Sequence, residues 1–123
     1  MSYTDKYAIA LKKKDYNELV SMISEGMAPF NMELFRRLFP VKHEKEESGE
    51  EYCLILGETR NLCYYRTEMD FILNFIKDRC HTYYRIGENF DDIERSINTE
   101  DEDGEDLFFE DAIGINCEIT TVF

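Results

Sequence analysis

The acidic residues of this 123-residue chain are concentrated in its last third, and this distribution constrains the fold more than any other feature of the sequence. Residues 88–123 carry thirteen acids and one base, Arg95, whereas residues 1–43 carry seven bases and five acids. Segment 98–111, NTEDEDGEDLFFED, holds eight of the acids. So dense a block of like charge repels itself and has to stay in contact with water. Leu107, Phe108 and Phe109 follow Asp106 directly, so we expect Phe108 or Phe109 to anchor the block to a core.

Length and composition predict one globular domain spanning residues 1–123. The chain is 43% hydrophobic, and nine Phe and eight Tyr residues supply much of the expected core. It contains no apolar stretch long enough to span a membrane and no apolar signal region near residue 1, so we expect a cytoplasmic protein that does not bind membranes. The net charge of −13 repels nucleic acid and anionic lipid and attracts basic surfaces.

The pattern of apolar and capping residues predicts an α+β fold, with N-terminal helices followed by a small antiparallel sheet with one packed helix. Helices are predicted at Thr4–Gly26 (with a possible break at 12–18 and Asp15 capping the second part), at Pro29–Phe39 with Asn31 as N-cap, from Thr67 to about Cys80, and around Phe90, Ile93 and Ile97. Strands are predicted at Tyr52–Leu56, Leu62–Tyr65, Thr82–Ile86 and Ile115–Phe123, with Gly57–Arg60 as a hairpin turn and 42–51 as a loop or hairpin tip.

One interpretation of the acidic run is a metal site. Around Gly104 the segment resembles the calcium loop of an EF-hand, in which oxygen ligands alternate along the chain and a glycine permits the turn. The resemblance makes Asp101, Asp103 and Glu110 candidate ligands, while Thr99 stands where that loop normally begins with Asp. It implies a calcium-binding or metal-dependent regulatory protein that uses the loop from Asp101 to Glu110.

A second interpretation is a passive, solvated loop, and a third is a surface that docks on a basic protein. Carboxylates on a tethered segment can mimic a row of phosphates and form charge-assisted contacts with Arg and Lys. The expected partner is then a nucleic-acid-processing enzyme or nuclease, with no direct contact to nucleic acid. Phage inhibitors of restriction or CRISPR enzymes, and immunity proteins against nuclease toxins, work in this way. The candidate partner-binding residues are Asp91, Asp92, Glu94, Glu100, Asp101, Glu102, Asp103, Glu105 and Asp106.

The remaining residues predict neither catalysis nor a cofactor. Cys80 and His81 are neighbours in sequence, but a nucleophile and its base have to meet in space, so we expect neither to be catalytic. The spacing of the four cysteines matches no zinc motif. The basic triplet 12–14, KKK, is either a solvated face or a partner for the protein's own acidic segment. The docking interpretation therefore predicts a binding protein and not an enzyme.

Overall fold

A computed structural model describes residues 4–89, 91–115 and 118–123 of the chain. Its helices are α1 (Lys13–Ser24), α2 (Met32–Leu38) and α3 (Arg66–Ile76), with 3₁₀ turns at Leu62–Tyr65 and Leu107–Glu110. Its strands are β1 (Thr4–Lys12), β2 (Val41–Glu47), β3 (Glu50–Arg60), β4 (His81–Ile86), β5 (Ile93–Asn98), β6 (Glu100–Asp101), β7 (Gly104–Glu105), β8 (Ile113–Ile115) and β9 (Ile119–Thr121).

The predicted first helix is wrong over its first half, because Thr4–Lys12 forms the central strand of the sheet. Strand β1 pairs with β3 on one side and β4 on the other, and residues 7–11, YAIAL, are buried on both faces. A strand buried on both faces shows no polar–apolar alternation. Periodicity cannot distinguish such a short apolar run from a helix. Helix α1 begins only at Lys13. Gly26 lies just beyond its end and has a φ of 81°, a left-handed conformation that terminates a helix.

The five main strands form an antiparallel sheet in the order β2-β3-β1-β4-β5. Tyr7, Ile9 and Leu11 of β1 face the three described helices, whereas Ala8 and Ala10 face the acidic C-terminal segment. The predicted α+β class and antiparallel sheet are therefore confirmed. The order is different, since a strand comes first and all three described helices cover one face. None of these helices is long and apolar enough to cross a membrane.

The hairpin predicted between 52 and 65 is wrong, although its first strand exists. Strand β3 continues through Gly57 to Arg60, and the predicted second strand is the 3₁₀ turn Leu62–Tyr65. Gly57 is needed here for close packing and not for a turn. A Cβ atom at this position would collide with the carbonyl oxygen of Leu38 and with the ring of Tyr7. The Tyr7 hydroxyl donates a 2.6 Å hydrogen bond to that same carbonyl, so the contact between the end of α2 and the sheet is tightly fixed.

The true hairpin joins β2 to β3, within the segment predicted as a loop or hairpin tip. Ser48 and Gly49 form its turn with φ values of 54° and 85°. Positive φ at both central residues is the signature of a type I′ turn, which suits the twist of a hairpin. A second correction concerns the helix predicted around Phe90, Ile93 and Ile97. Ile93–Asn98 is edge strand β5, and Phe90 lies outside the described residues.

The remaining predicted elements are confirmed with changed bounds. Helix α2 begins after Asn31, whose side chain accepts a 3.0 Å hydrogen bond from the Leu34 N–H, as expected of an N-cap. Helix α3 ends at Ile76 and not near Cys80, while the strand at 82–86 is β4. The closing strand is reduced to β9, which pairs with β8. Asn116 and Cys117, within the predicted strand, lie outside the described residues.

The C-terminal segment packs across the second face of the sheet through aromatic residues. Phe109 is completely buried, and its ring lies edge-on to Tyr52 with a centroid distance of 5.4 Å. Phe108 stacks on the same tyrosine at 3.9 Å. The Thr82 hydroxyl donates a hydrogen bond to the Phe109 carbonyl. The expectation that a phenylalanine anchors the acidic block is thus confirmed.

Truncating this anchor should destabilise the protein strongly. We expect Phe109→Ala to lower the free energy of unfolding by about 3–5 kcal/mol, because it leaves a cavity between the sheet and the segment. Leu107→Ala, in the same 3₁₀ turn but exposed, should change it by less than about 0.5 kcal/mol. Urea denaturation followed by circular dichroism measures both values. Equal effects of the two substitutions would show that the segment is not packed on the sheet.

Candidate protein-binding surface

Two acidic hairpins flank the start of helix α1 at one end of the sheet. Strand β1 ends there at Lys12, opposite Tyr52 of β3, and β5 ends there at Asn98. The β2–β3 hairpin contributes residues 46–51, and the β6–β7 hairpin contributes residues 100–105. We call these two segments the acidic end. Together they carry nine carboxylates.

The lysine triplet at the end of β1 lies between the two hairpins and pairs with both. Lys12 Nζ lies 3.1 Å from Asp101 Oδ2, with only 7% and 10% of the two side chains exposed. Lys14 pairs with Asp103 at the surface. Lys13 Nζ lies 3.6 Å from Glu44 of β2 and 3.9 Å from Glu51 of the other hairpin. Of the two interpretations of the triplet, Lys12 and Lys14 follow the pairing with the protein's own acidic segment.

The Asp101 carboxylate is held in its charged form. Burial alone would raise its pKa, but hydrogen bonds from Lys12, the Asp103 backbone N–H and Cys80 outweigh burial and lower it to about 2. The Asp103 N–H donates a 2.8 Å hydrogen bond to Asp101 Oδ1 and so closes a local turn. Asp101 therefore closes the β6–β7 turn and joins it to the central strand.

Asp106 provides the second attachment of the acidic run. Its Oδ2 accepts a 2.5 Å hydrogen bond from the Tyr52 hydroxyl, and its Oδ1 accepts one of 3.0 Å from the Phe108 N–H. The Asp106 N–H donates to the Thr99 carbonyl at 2.6 Å. The run thus begins and ends in contacts with well-packed residues.

The structure divides the nine predicted partner-binding residues into groups. Asp101, Asp103 and Asp106 are used in the internal contacts just described. Glu100, Glu102 and Glu105 are exposed at the acidic end, where no described residue neutralises them. Asp91, Asp92 and Glu94 lie apart from these six, near the opposite end of β5.

The separate group contains a cluster around Arg85. Its Nη1 lies 2.7 Å from Asp5, and its Nη2 lies 2.7 Å from Asp92 and 3.7 Å from Glu94. Asp5 and Arg85 are largely buried, so this cluster links the start of β1 to β4 and β5. Asp92 and Glu94 therefore both help to hold the fold, and Glu94 also accepts a 3.0 Å hydrogen bond from the Tyr83 hydroxyl through Oε1.

Both hairpins of the acidic end contain glutamates that face each other directly. The like-charge cross-strand pairs are Glu46–Glu51, Glu47–Glu50 and Glu100–Glu105. Directly opposed like charges destabilise a hairpin. Four of these glutamates, in 46–51, were not among the predicted residues. The signal in the sequence was the Ser48-Gly49 turn flanked by acids on both sides, which places those acids opposite each other.

The described residues do not favour a metal site. They contain no group of three or more His, Cys, Asp or Glu side chains arranged to hold a metal ion. Asp101 and Asp103 turn towards lysines instead. Glu110 lies beyond the hairpin, in the 3₁₀ turn. A calcium ion would have to displace Lys12 from its nearly buried partner.

Cys80 and His81 show no catalytic geometry. Burial, and the neighbouring Asp101, raise the pKa of the Cys80 thiol to about 12, so the nucleophilic thiolate is disfavoured. His81 Nδ1 is 2.8 Å from the Arg79 carbonyl oxygen, and Nε2 is 2.8 Å from the Ser96 hydroxyl. Both ring nitrogens are therefore engaged away from the thiol, and both residues act as core residues.

Neutralising Asp101 should destabilise the fold, unlike neutralising Asp103. Asp101→Asn leaves Lys12 nearly buried without a charged partner, which should cost about 3 kcal/mol. Asp103→Asn breaks an exposed pair and should cost about 0–1 kcal/mol. Urea denaturation of the two variants provides the comparison. Similar losses would mean that the Lys12–Asp101 pair is solvated in solution.

The stabilising effect of Asp101 should also depend on pH. Its pKa is about 2 in the folded protein against an ordinary value of 3.8. A lowered pKa stabilises the folded state above the unfolded value, and this stabilisation is lost as the pH falls through the folded value. The difference in unfolding free energy between wild type and Asp101→Asn should be largest above about pH 5 and should shrink towards pH 2. A difference that stays constant would contradict the lowered pKa.

Comparison with known proteins provides no relative from which a role can be transferred. No protein-family model, no curated protein and no solved structure matches this chain. Its function therefore has to be inferred from the geometry and charge of its own residues.

Proposed function

We propose that this protein is a binding protein whose acidic end docks on a basic, nucleic-acid-binding surface of another protein and blocks it. The observation that carries the proposal is the set of three glutamate pairs opposed across the two hairpins. Folding gains nothing from such pairs, since opposed like charges weaken a hairpin. A basic partner would relieve the repulsion by placing Arg or Lys between the opposed carboxylates.

The balance of charge at the acidic end supports this role. Lysines form ion pairs with three of its nine carboxylates, so six carboxylates remain unpaired among the described residues. A local concentration of negative charge of this size repels nucleic acid and attracts a cationic surface over a distance of about 8 Å at physiological salt. Five of these six unpaired acids are exposed, and the sixth, Glu50, is half-buried.

The attachment of the hairpins supports docking over a passive loop. The buried Lys12–Asp101 pair and the Tyr52–Asp106 hydrogen bond hold the β6–β7 hairpin in one position. Carboxylates that are already positioned lose less conformational freedom on binding than those of a mobile tail. A fixed array can thus present charge at defined spacings, as a row of phosphates does.

The proposal predicts the class of partner by its chemistry. A surface that binds a phosphate backbone carries clustered Lys and Arg, and these form the contacts that an acidic competitor needs. Restriction enzymes, CRISPR effectors and nuclease toxins have such surfaces. This protein would then act as a phage anti-defence protein or as an immunity protein, by steric and electrostatic block.

Charge position, and not total charge, should control binding. We expect that changing Glu47, Glu50, Glu100 and Glu105 to Gln strongly reduces capture of the partner from a host lysate, because it removes two opposed pairs. The fold should be equally or more stable, since repulsion is relieved. As a matched control, changing Glu25, Glu33 and Glu58 to Gln and Asp70 to Asn removes the same number of exposed charges elsewhere.

The captured proteins are identified by mass spectrometry, and their binding to a fluorescent DNA duplex is measured with each variant added. Wild type and the control variant should displace the duplex, whereas the acidic-end variant should not. If both variants capture and displace equally well, the acidic end is not the docking surface.

Salt should weaken the interaction mainly by lowering the association rate constant. We expect the association rate constant to fall steeply between about 0.05 and 0.5 M NaCl, because screening shortens the reach of the field. The dissociation rate should change much less. Stopped-flow or surface plasmon resonance measurements with the captured partner separate the two rates. An association rate that is independent of salt would contradict electrostatic docking.

A further inference from the structure

We propose that the free edge of strand β5, Ile93–Asn98, takes up an extended basic segment of the partner protein as an additional strand. This inference rests on the proposed function only for the basic character of the partner. Strand addition obtains affinity from main-chain hydrogen bonds and specificity from alternate side chains. The β5 edge offers both features.

The hydrogen-bonding pattern of β5 shows which groups face outward. The Gly87 N–H donates to the Asp92 carbonyl at 2.8 Å, and bonded pairs alternate along an antiparallel ladder. Glu94 and Ser96 therefore bond to β4, whereas Ile93, Arg95 and Ile97 turn their N–H and C=O groups away from it. No hydrogen bond from another described element reaches these outward groups.

The two edges of the sheet differ in how they are protected. Edge strand β2, VKHEKEE, is almost entirely charged and so discourages pairing with another chain. Edge strand β5 instead exposes two isoleucines on one face, Ile93 at 45% and Ile97 at 40%. Exposed Leu107 belongs to the 3₁₀ turn that lies beside β5. An unprotected edge with exposed apolar residues is suited to adding a strand.

Charge selects a basic segment over a second copy of this chain. Two copies would each bring a net charge of −13. Antiparallel self-pairing that aligned Ile93 with Ile97 would also place the two Arg95 side chains opposite each other. A basic segment would instead lie between acids at both ends of β5, with Asp91 just before it and Glu100 just after it.

The side chains of β5 predict the pattern of the added strand. Residues opposite Ile93 and Ile97 should be apolar, since they share that exposed face. Glu94 contacts Arg85 and Tyr83, but its side chain is still 54% exposed, so the residue opposite it should be basic.

A heptapeptide with the sequence Lys-Val-Lys-Thr-Lys-Val-Lys has this pattern and serves as the probe. Arg95→Pro removes one outward N–H and leaves the ladder with β4 intact, because proline is tolerated on a sheet edge. Arg95→Ala is the matched control, since it removes the same side chain but keeps the N–H. The peptide N-methylated at alternate residues keeps all its charges but cannot pair as a strand.

Fluorescence anisotropy with the labelled peptide distinguishes the outcomes. We expect Arg95→Pro and N-methylation each to weaken binding at least about tenfold, because strand addition depends on main-chain hydrogen bonds. Arg95→Ala should bind as well as wild type or better.

The inference is overturned if wild type does not bind the peptide, or if neither Arg95→Pro nor N-methylation weakens binding. Binding that is lost only when Glu47, Glu50, Glu100 and Glu105 are neutralised would reject strand addition while leaving acidic docking intact. The methylated peptide keeps the test decisive even if Arg95→Pro fails to fold.

Discussion

The ion pair between Lys12 and Asp101 determines where the acidic run of this protein lies. It joins the end of the central strand to a hairpin 89 residues further along the chain, in a position almost closed to water. A buried ion pair adds little net stability, because desolvation offsets the attraction, but breaking it is costly. The pair therefore fixes position more than it stabilises. With it in place, a segment whose charges repel one another follows a single path across the sheet.

The acids of this segment have two separate roles as a result. Asp101 and Asp106 face inward, where a lysine and a tyrosine hydroxyl hold them. Glu100 and Glu105 face each other across the hairpin and stay exposed. The inward acids hold the backbone, so the exposed ones keep their separations despite mutual repulsion. The protein thus keeps a strong electrostatic field from the exposed carboxylates, which would otherwise move apart and weaken it.

Strand β5 leads directly into the acidic end along the chain. Strand β5 ends at Asn98, and the first exposed acid of the hairpin, Glu100, follows two residues later. A partner strand that paired along Ile93–Asn98 would end close to the start of the acidic hairpin at Glu100. Main-chain pairing would then set the register, while the carboxylates would attract the partner from a distance. The two proposed contacts are physically separate and can be tested separately.

Local sequence determined those features that depend on neighbouring residues. These include the Asn31 cap of α2, the strands at 52–56 and 82–86, the confinement of negative charge to the last third, and the apolar anchor at Phe109.

The tertiary structure alone decided that YAIAL is a central strand, because a helix and a strand buried on both faces show the same short apolar run. It also decided that β3 pairs with β2 and β1, and which carboxylates are neutralised. Tyr52 and Asp106 are 54 residues apart, and Lys12 and Asp101 are 89 apart. Propensity and periodicity extend over only a few residues, so contacts at such separations depend on the packing of the whole chain.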